Sequence, residues 1–381
     1  MKIFHIINSL NKGGAEGNLY RLSKFQKKKF KKKIDITIIT LINNGFYESK
    51  LKKIGINIFS LDIVKNYNLV YWTKKLIKFR KIIKNQNPDI IQSWMYHSNF
   101  MTLFLPKFTC YRIFWNIRHS KLNFRLSKIT TIAISIICGF FSRVIPKKII
   151  YCSEKSVNFH EVKHNYSNKK TVLINNGFSD DDYYPSRKHR LNFRKKIKKQ
   201  NSDIIIGFAG RYAKEKNISS LLIAFSRLIR EYNNVYLYMV GKNINFSNKE
   251  LAKIILNLKI DKRAVFLDEQ KNLLEFYNGI DFLVSVSHAE SFPNVIAESM
   301  LCSTPVLSSD AGSAKMIIKD SGFIMKHNHY KSITNHLKKT INLLINEKKK
   351  WNLYKKRSRN QIKKNFSISN MASNYLKTWV F

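Results

Sequence analysis

Residues 204–240 read IIIGFAGRYAKEKNISSLLIAFSRLIREYNNVYLYMV. The stretch opens on an apolar, β-branched run from Ile204 to Phe208 and passes through a glycine-flanked turn. It then takes up helical spacing from Ile218 to Tyr232 and returns to a second apolar run at Val235 to Val240. Neither apolar run shows the polar alternation that a half-solvated strand keeps, and the helix between them is long enough for a crossover. The segment predicts two parallel strands in a sheet covered on both faces.

The same alternation continues on either side. Toward the C-terminus come helix Asn248 to Leu258, strand Val265 to Leu267, helix Leu273 to Asn278, strand Phe282 to Ser285, helix Asn294 to Leu301, strand Pro305 to Ser308 and a helical region from Ile333 onward. Toward the N-terminus the strand candidates are Ile3 to Ile7, Ile34 to Leu41, Ile56 to Leu61, Asp89 to Ser93, Arg112 to Ile117, Lys148 to Cys152 and Thr171 to Ile174. Helical runs such as Ala15 to Phe25, Tyr71 to Asn85 and Glu154 to His160 lie between them. Asn175-Asn176-Gly177, the turn-rich Phe178 to Pro185 and the cationic Ser186 to Lys199, a stretch with few residues to bury, separate the halves.

A chain of 381 residues suits two cores. The expected division is an N-terminal Rossmann-like domain over 1–185, a C-terminal one over 186–365, and a C-terminal helix over 366–381 packing back on the first. The fold class is α/β, with two tandem doubly wound domains facing across a cleft where the carboxyl ends of parallel strands bind ligands.

Sixty-nine lysines and arginines against 24 acidic residues give a net charge of +45, which draws any partner bearing phosphate. Lys, Asn and Ile are abundant everywhere, so charge alone names no partner. One cluster stands out: Lys24, Lys27, Lys28, Lys29, Lys31, Lys32 and Lys33 crowd the run KFQKKKFKKK with Phe25 and Phe30 interleaved. Such a run predicts a peripheral contact with an anionic membrane surface, at ~1 kcal/mol per cation. Ile129 to Ile145 is the most apolar stretch, but it holds Thr130, Thr131, Ser135 and Ser142 and falls short of the ~20 apolar residues of a spanning helix. It reads as a buried helix, with a monotopic membrane contact as the alternative. No small-x-small cleavage site follows the first apolar run, so the expected location is cytoplasmic, peripheral at the inner membrane face. Cys110, Cys138, Cys152 and Cys302 show neither CxxC nor zinc-ligand spacing, which predicts no disulfide and no structural metal. The chain carries no helix-turn-helix, RNP-like strand or finger spacing, and so no specific nucleic acid is expected as partner.

The chemistry concentrates in His288-Ala289-Glu290-Ser291-Phe292-Pro293-Asn294-Val295-Ile296-Ala297-Glu298, which follows a buried strand and opens a helix. With Pro293 in the first helical turn, the amides that follow form the positive end of a helix dipole and can face an anion. Glu290 stands in the preceding loop, and Glu298 lies about five residues up the helix, a rise of roughly 7.5 Å. The spacing suits a diphosphate at the helix mouth, sugar hydroxyls on Glu290 and a ribose on Glu298. Arg211 and Lys216, in GRYAKEKN after the strand Ile204 to Phe208, supply the opposing charge for a departing diphosphate. Asn11-Lys12-Gly13-Gly14-Ala15-Glu16 lets backbone approach a ligand from the other domain. Asp180-Asp181-Asp182 has the spacing of a divalent-ion site but falls in the domain connection and reads as loop.

Glu290-x7-Glu298 within ESFPNVIAESM, the upstream GRYAKEKN and the N-terminal GGAE resemble the family-four retaining glycosyltransferases of GT-B fold, of the bacterial surface-polysaccharide type. The likeness runs over nearly the whole chain, including Trp115-Asn116-Ile117-Arg118-His119-Ser120 and Asn175-Asn176-Gly177. It implies a metal-independent hexosyltransferase without cofactor, whose donor is a UDP- or GDP-linked sugar and whose acceptor is a lipid-linked glycan or polysaccharide. It also implies that Arg211 and Lys216 hold the diphosphate, that Glu298 binds the ribose and that Glu290 meets the donor sugar. Gly14, Phe292, Pro293, Asn294 and Val295 complete the donor side. His119 is placed beside the reacting centre, and His97 and Arg118 on the acceptor side. The chain departs from the family pattern at Ser291 and Ser303, where glycines are usual. Two readings from other classes stay open: a nucleotide-sugar epimerase or hydrolase of the same fold, which would consume donor without acceptor, and a polyanion-binding protein.

Overall fold

The computed structural model describes every residue except 31, 32, 44, 65, 67, 107–109, 121, 123–126 and 381. The chain divides into two compact units, one of residues 1–177 with 368–381 and one of residues 178–367.

In the first unit the strands are β1 (Lys2–Ile7), β2 (Asp35–Thr40), β3 (Asn57–Ser60), β4 (Ile90–Trp94), β5 (Arg112–Ile117), β6 (Lys148–Tyr151) and β7 (Thr171–Leu173). They form one sheet in the order β3-β2-β1-β4-β5-β6-β7, and each pairing is parallel. After Lys2 the central strand β1 is wholly buried, because both its faces are covered. Ile3 and Ile7 meet Leu19 and Leu22 of the helix Gly14–Phe30 and Tyr375 and Trp379 of the helix Ile368–Val380. Phe4 and Ile6, one residue out of phase, meet Phe79 and Ile83 of the helix Leu69–Gln86. The last helix of the chain thus completes the first unit, with the Trp379 indole donating to Gln92 at 2.9 Å.

The second unit holds β8 (Ile204–Ala209), β9 (Val235–Val240), β10 (Ala264–Phe266), β11 (Phe282–Ser285), β12 (Val306–Ser309) and β13 (Phe323–Met325). Its sheet is again parallel, in the order β10-β9-β8-β11-β12-β13. β8 and β9 pair from Ile204 beside Val235 to Ala209 beside Val240, joined by the crossover helix Ile218–Leu228. Strand order reverses between β8 and β11, and loops leaving the carboxyl ends there form the crevice in which such sheets take ligands.

Several expectations change. The division falls at 177/178, because Phe178 joins the second unit: its N–H donates to the Phe366 carbonyl at 2.9 Å and its ring stacks on Phe292. The cationic stretch after Ser186 is integral to that unit, since its helix Arg187–Lys196 buries Phe193 and Arg194, the latter paired with Asp281 at 2.8 Å. β13 and the short helix Ala314–Ile318 were not foreseen. The helix Ile129–Phe141 is not buried all round: Ile132, Ser135, Cys138 and Gly139 face inward, while Ile129 is 74 % and Phe140 68 % exposed. In the lysine run, Phe25 and Phe30 turn onto the core of the first unit, while Lys31 and Lys32 lie outside the described residues. Among the described residues no helix is long and apolar enough to cross a membrane.

Candidate functional site

The second unit assembles its site from the loops that follow β8, β11 and β12. After β8, the segment Gly210 to Ala213 leads into a 3-10 turn over Lys214–Lys216 that ends at Asn217, a left-handed residue with φ 55°. That turn sets the direction of Lys216, whose Nζ meets Glu290 Oε1 at 2.5 Å. Glu290 stands in the loop after β11, and the same oxygen accepts from Ser287 Oγ at 2.8 Å. Both charged side chains are largely buried, at 17 % and 15 % exposure, so solvent screens the pair far less than a surface ion pair. The two loops are also tied through backbone, by the His288 N–H donating to the Glu215 carbonyl at 2.8 Å.

The loop after β12 closes the floor. Ser313 donates from both N–H and Oγ to the Ser291 carbonyl at 3.1 Å. Gly312 has φ +60°, and a Cβ there would stand 2.4 Å from the Glu290 carbonyl oxygen. Only glycine allows this approach, which presses the Glu290-Ser291 loop into place. None of Ser287, Gly312 or Ser313 was singled out in the sequence. The available signal was the small, turn-forming composition of Asp310-Ala311-Gly312-Ser313 directly after a strand.

The helix that follows spans Asn294–Leu301, with Pro293 at the N-cap rather than in the first turn. Pro293 lacks an N–H, which costs nothing at that position, and the Ile296 N–H closes onto its carbonyl at 3.1 Å. Asn294 and Val295 are therefore the first two helical positions. Glu298, 8 % exposed, lies inside this helix and accepts from the Tyr277 hydroxyl at 3.0 Å. Burial, and then the Glu298 charge, hold the Tyr277 phenol well above its ordinary pKa, so it remains a donor. The ring of Phe292 is buried between Phe178 and Phe366 and anchors the loop from behind.

Arg211 and Lys216 do not point at one another's target. Lys216 is joined to Glu290, whereas the exposed Arg211 pairs with Glu215 at 2.6 Å. Lys216 is thus locked beside Glu290, and Arg211 is tethered at the surface. Asp180 of the aspartate triplet is held by Lys363 at 2.9 Å and Arg359 at 3.8 Å. Among the described residues no three His, Cys, Asp or Glu side chains gather as a metal cluster, and none of the four cysteines is in a disulfide.

In the first unit the named residues divide. Gly14 opens the helix Gly14–Phe30, its carbonyl accepting from Asn18 at 2.7 Å. His119 follows β5 and is exposed, its ring 5.7 Å from Tyr96 and its carbonyl accepting from Ser156 Oγ at 2.5 Å. Arg118 is an interior brace rather than an acceptor-facing group. It is buried, donates to Asn116 at 2.7 Å, to the Tyr375 hydroxyl at 2.5 Å and to Asn176, and lies over the Trp94 ring. Its guanidinium binds the last helix to the β5 loop. His97 begins just past Met95, a non-glycine residue at φ 72° after β4, and burial followed by the nearby Lys128 lowers its pKa. A left-handed Met at the carboxyl end of a central strand marks a backbone held against its preference.

Residues 189–363 match the family described as glycosyl transferases group 1. The chain is 28 % identical over 181 residues to the capsular polysaccharide biosynthesis glycosyltransferase CapM of Staphylococcus aureus, an alignment covering 46 % of this chain and 47 % of that protein. It spans about half the length of that relative. With CapH of the same organism, also a capsular polysaccharide biosynthesis glycosyltransferase, it is 25 % identical over 362 residues and 92 % of each chain. The structure of Anabaena HepE in complex with UDP-glucose superposes with a TM-score of 0.82 at 18 % identity, covering 99 % of both chains. That likeness shows the fold, two parallel-sheet α/β units of the GT-B type. The family match and the relatives support a glycosyltransferase.

Proposed function

We propose that the chain moves a hexose or N-acetylhexosamine from a UDP- or GDP-linked sugar to a lipid-linked or polysaccharide acceptor, with retention of anomeric configuration and without a metal ion. The finer placement among family-four enzymes of cell-surface glycan synthesis is part of this reading, and the two capsular relatives support it. The observation that carries it is the Lys216–Glu290 couple at 2.5 Å, set before the helix Asn294–Leu301 at the carboxyl ends of β8 and β11.

In the reaction the acceptor hydroxyl oxygen bonds to the anomeric carbon, and the bond from that carbon to the diphosphate oxygen breaks. The electron pair leaves with the nucleotide diphosphate, and the hydroxyl proton passes to the departing phosphate oxygen. Lys216, Arg211 and the amides after Pro293 neutralise the charge that develops on the diphosphate. Glu290 faces the sugar, whose anomeric carbon becomes oxocarbenium-like, and Glu298 with Tyr277 grips the ribose. His119 and His97, after β5 and β4, belong to the acceptor side.

A panel of nucleotide sugars followed by thermal shift, with and without EDTA, tests this. At 100 times its dissociation constant a donor adds ~2.7 kcal/mol of stability. At least one UDP- or GDP-sugar should raise the melting temperature equally in both conditions. No shift with any of them rejects the donor class, and a shift abolished by EDTA rejects metal independence.

A further inference from the structure

The helix Ile129–Phe141, ITTIAISIICGFF, carries no charged side chain, and it is turned the wrong way round for water. Its inward face is Ile132, Ser135, Cys138 and Gly139. Ser135 Oγ lies 2.7 Å from His164 Nδ1, and the Cys138 thiol donates to the Tyr96 carbonyl at 3.7 Å. A Cβ on Gly139 would fall 1.7 Å from the His164 carbonyl oxygen, so the helix backbone lies directly against the end of the helix Glu154–His164. Apart from Ile132 and the partly buried Ile134, small residues fill the inner side and the large ones face out. Ile129, Ile136, Ile137, Phe140, Phe141 and Val144 are all exposed, at helical spacings of one face. A helix of a soluble domain buries that stripe, and a continuous exposed one marks a contact surface.

Cations frame the stripe. Lys128 caps its start, and Arg143, Lys147, Lys148 and Lys170 gather at its end, where the Lys170 ammonium donates to the Arg143 carbonyl at 2.5 Å. An apolar stripe bordered by positive charge complements a surface that is apolar inside and anionic at its rim. A bilayer with acidic headgroups is such a surface; an ordinary protein partner is not.

We propose that this helix is a monotopic membrane contact, lying in the plane of an anionic bilayer with Ile136, Ile137, Phe140 and Phe141 in the acyl boundary and the flanking cations on lipid phosphates. The contact site is therefore this helix and not the lysine run, whose phenylalanines face the core. The inference deepens the membrane-linked acceptor of the function proposed above and rests on that reading, but its test reads binding alone.

The full chain is sedimented with vesicles of phosphatidylcholine and of phosphatidylcholine mixed with phosphatidylglycerol. Wild type should bind the mixed vesicles only, and Phe140→Ser with Phe141→Ser should lower the bound fraction by about tenfold or more, since binding scales with the apolar area inserted. Neutralising Lys27, Lys28 and Lys29 to Gln should leave most binding. As a second readout, the indole of a Phe140→Trp variant should shift to the blue on mixed vesicles and be quenched by brominated acyl chains. An unshifted indole, full binding by the serine variant, or a dimer of the free chain that the serine variant abolishes would each overturn the proposal. Donor-dependent thermal shift in the same variants separates these outcomes from failure of the transferase reading, because the variants leave every residue assigned to the donor unchanged.

Discussion

Glu290 and Glu298 share one chemistry and sit in opposite surroundings. Glu290 is in a loop, its Oε1 shared by Lys216 and Ser287, so it is a charged group poised at the edge of the crevice. Glu298 is fixed within a helix with a buried phenol as donor. On the proposed roles, Glu290→Gln should act mainly on kcat, because an interaction with the oxocarbenium-like sugar is stronger in the transition state. Glu298→Gln should raise donor KM more than it lowers kcat, because ribose binding is felt equally in ground and transition states. Steady-state kinetics on the two variants decides this, and the reverse pattern would show the carboxylates exchanged. Replacing Lys216 by Ala should lower turnover by orders of magnitude, as loss of one preorganised charge at a leaving group costs about 3–4 kcal/mol. Wild-type turnover in that variant would remove Lys216 from the mechanism. Ser303 offers a test of stability at the same scale. It follows the Glu298 helix at φ 58°, where the Thr304 N–H reaches back to the Ser299 carbonyl at 3.1 Å, a left-handed helix stop that favours glycine. Ser303→Gly should stabilise the second unit by about 1 kcal/mol, read as a raised denaturant midpoint.

At the scale of elements, the loop after β12 is a wedge rather than a connector. Gly312→Ala meets both an unfavourable φ and a Cβ 2.4 Å from the Glu290 carbonyl, so the loop must move and take Glu290 with it. Far-UV circular dichroism should be unchanged while kcat falls at least tenfold, in line with the cost of misplacing a catalytic group by about 1 Å. Unaltered kinetics would show that the wedge does not hold Glu290. Elements of this kind were illegible from sequence because their effect is a distance between chain segments. What periodicity does carry is the buried strand and its crossover, and Ile204 to Val240 was read correctly because fully apolar strands have no other place to go. The glutamate segment was legible too, since strand, proline and helix fix where a carboxylate stands. Direction was not legible. Apolar composition put the helix after Lys128 in the core, whereas packing buries one face of it and leaves the other exposed. The deciding residues were small ones, Ser135, Cys138 and Gly139, which hydropathy hardly weighs. Arg118 was misplaced for a related reason: its Tyr375 partner lies 257 residues away in sequence.

At the scale of the whole molecule, the first unit is made sensitive to acid by histidines hidden in its core. Burial pushes His5 down to about 3, its ring set among Trp94 and Trp379 with the Trp94 indole donating to it. His160 is likewise lowered to about 3, first by burial and further by His164 and His119, although the Ser156 carbonyl opposes the shift. Both are neutral when folded. Above the unfolded value of about 6.5 neither state binds the proton and stability does not depend on it. As pH falls below 6.5 the unfolded chain takes up protons that the folded unit refuses, so each histidine removes up to about 1.4 kcal/mol per pH unit until its folded value is reached. Asp180 in the second unit follows the opposite case. The Lys363 hydrogen bond and charge hold its carboxyl below the usual range, so its contribution is present above about 3.9 and is lost only at lower pH, and its exposure keeps it small. Between about pH 6.5 and pH 4 His5 and His160 therefore weaken the first unit, to which both belong. Three fully buried indoles, Trp94, Trp115 and Trp379, belong to that unit and report its unfolding. Their denaturant midpoint should drop markedly from near pH 7 to near pH 5, and His160→Gln should flatten the slope by about one proton while keeping a hydrogen-bonding side chain beside Tyr96. A midpoint that does not move over that range, or a slope untouched by the substitution, would show that these histidines are protonated in the folded unit after all.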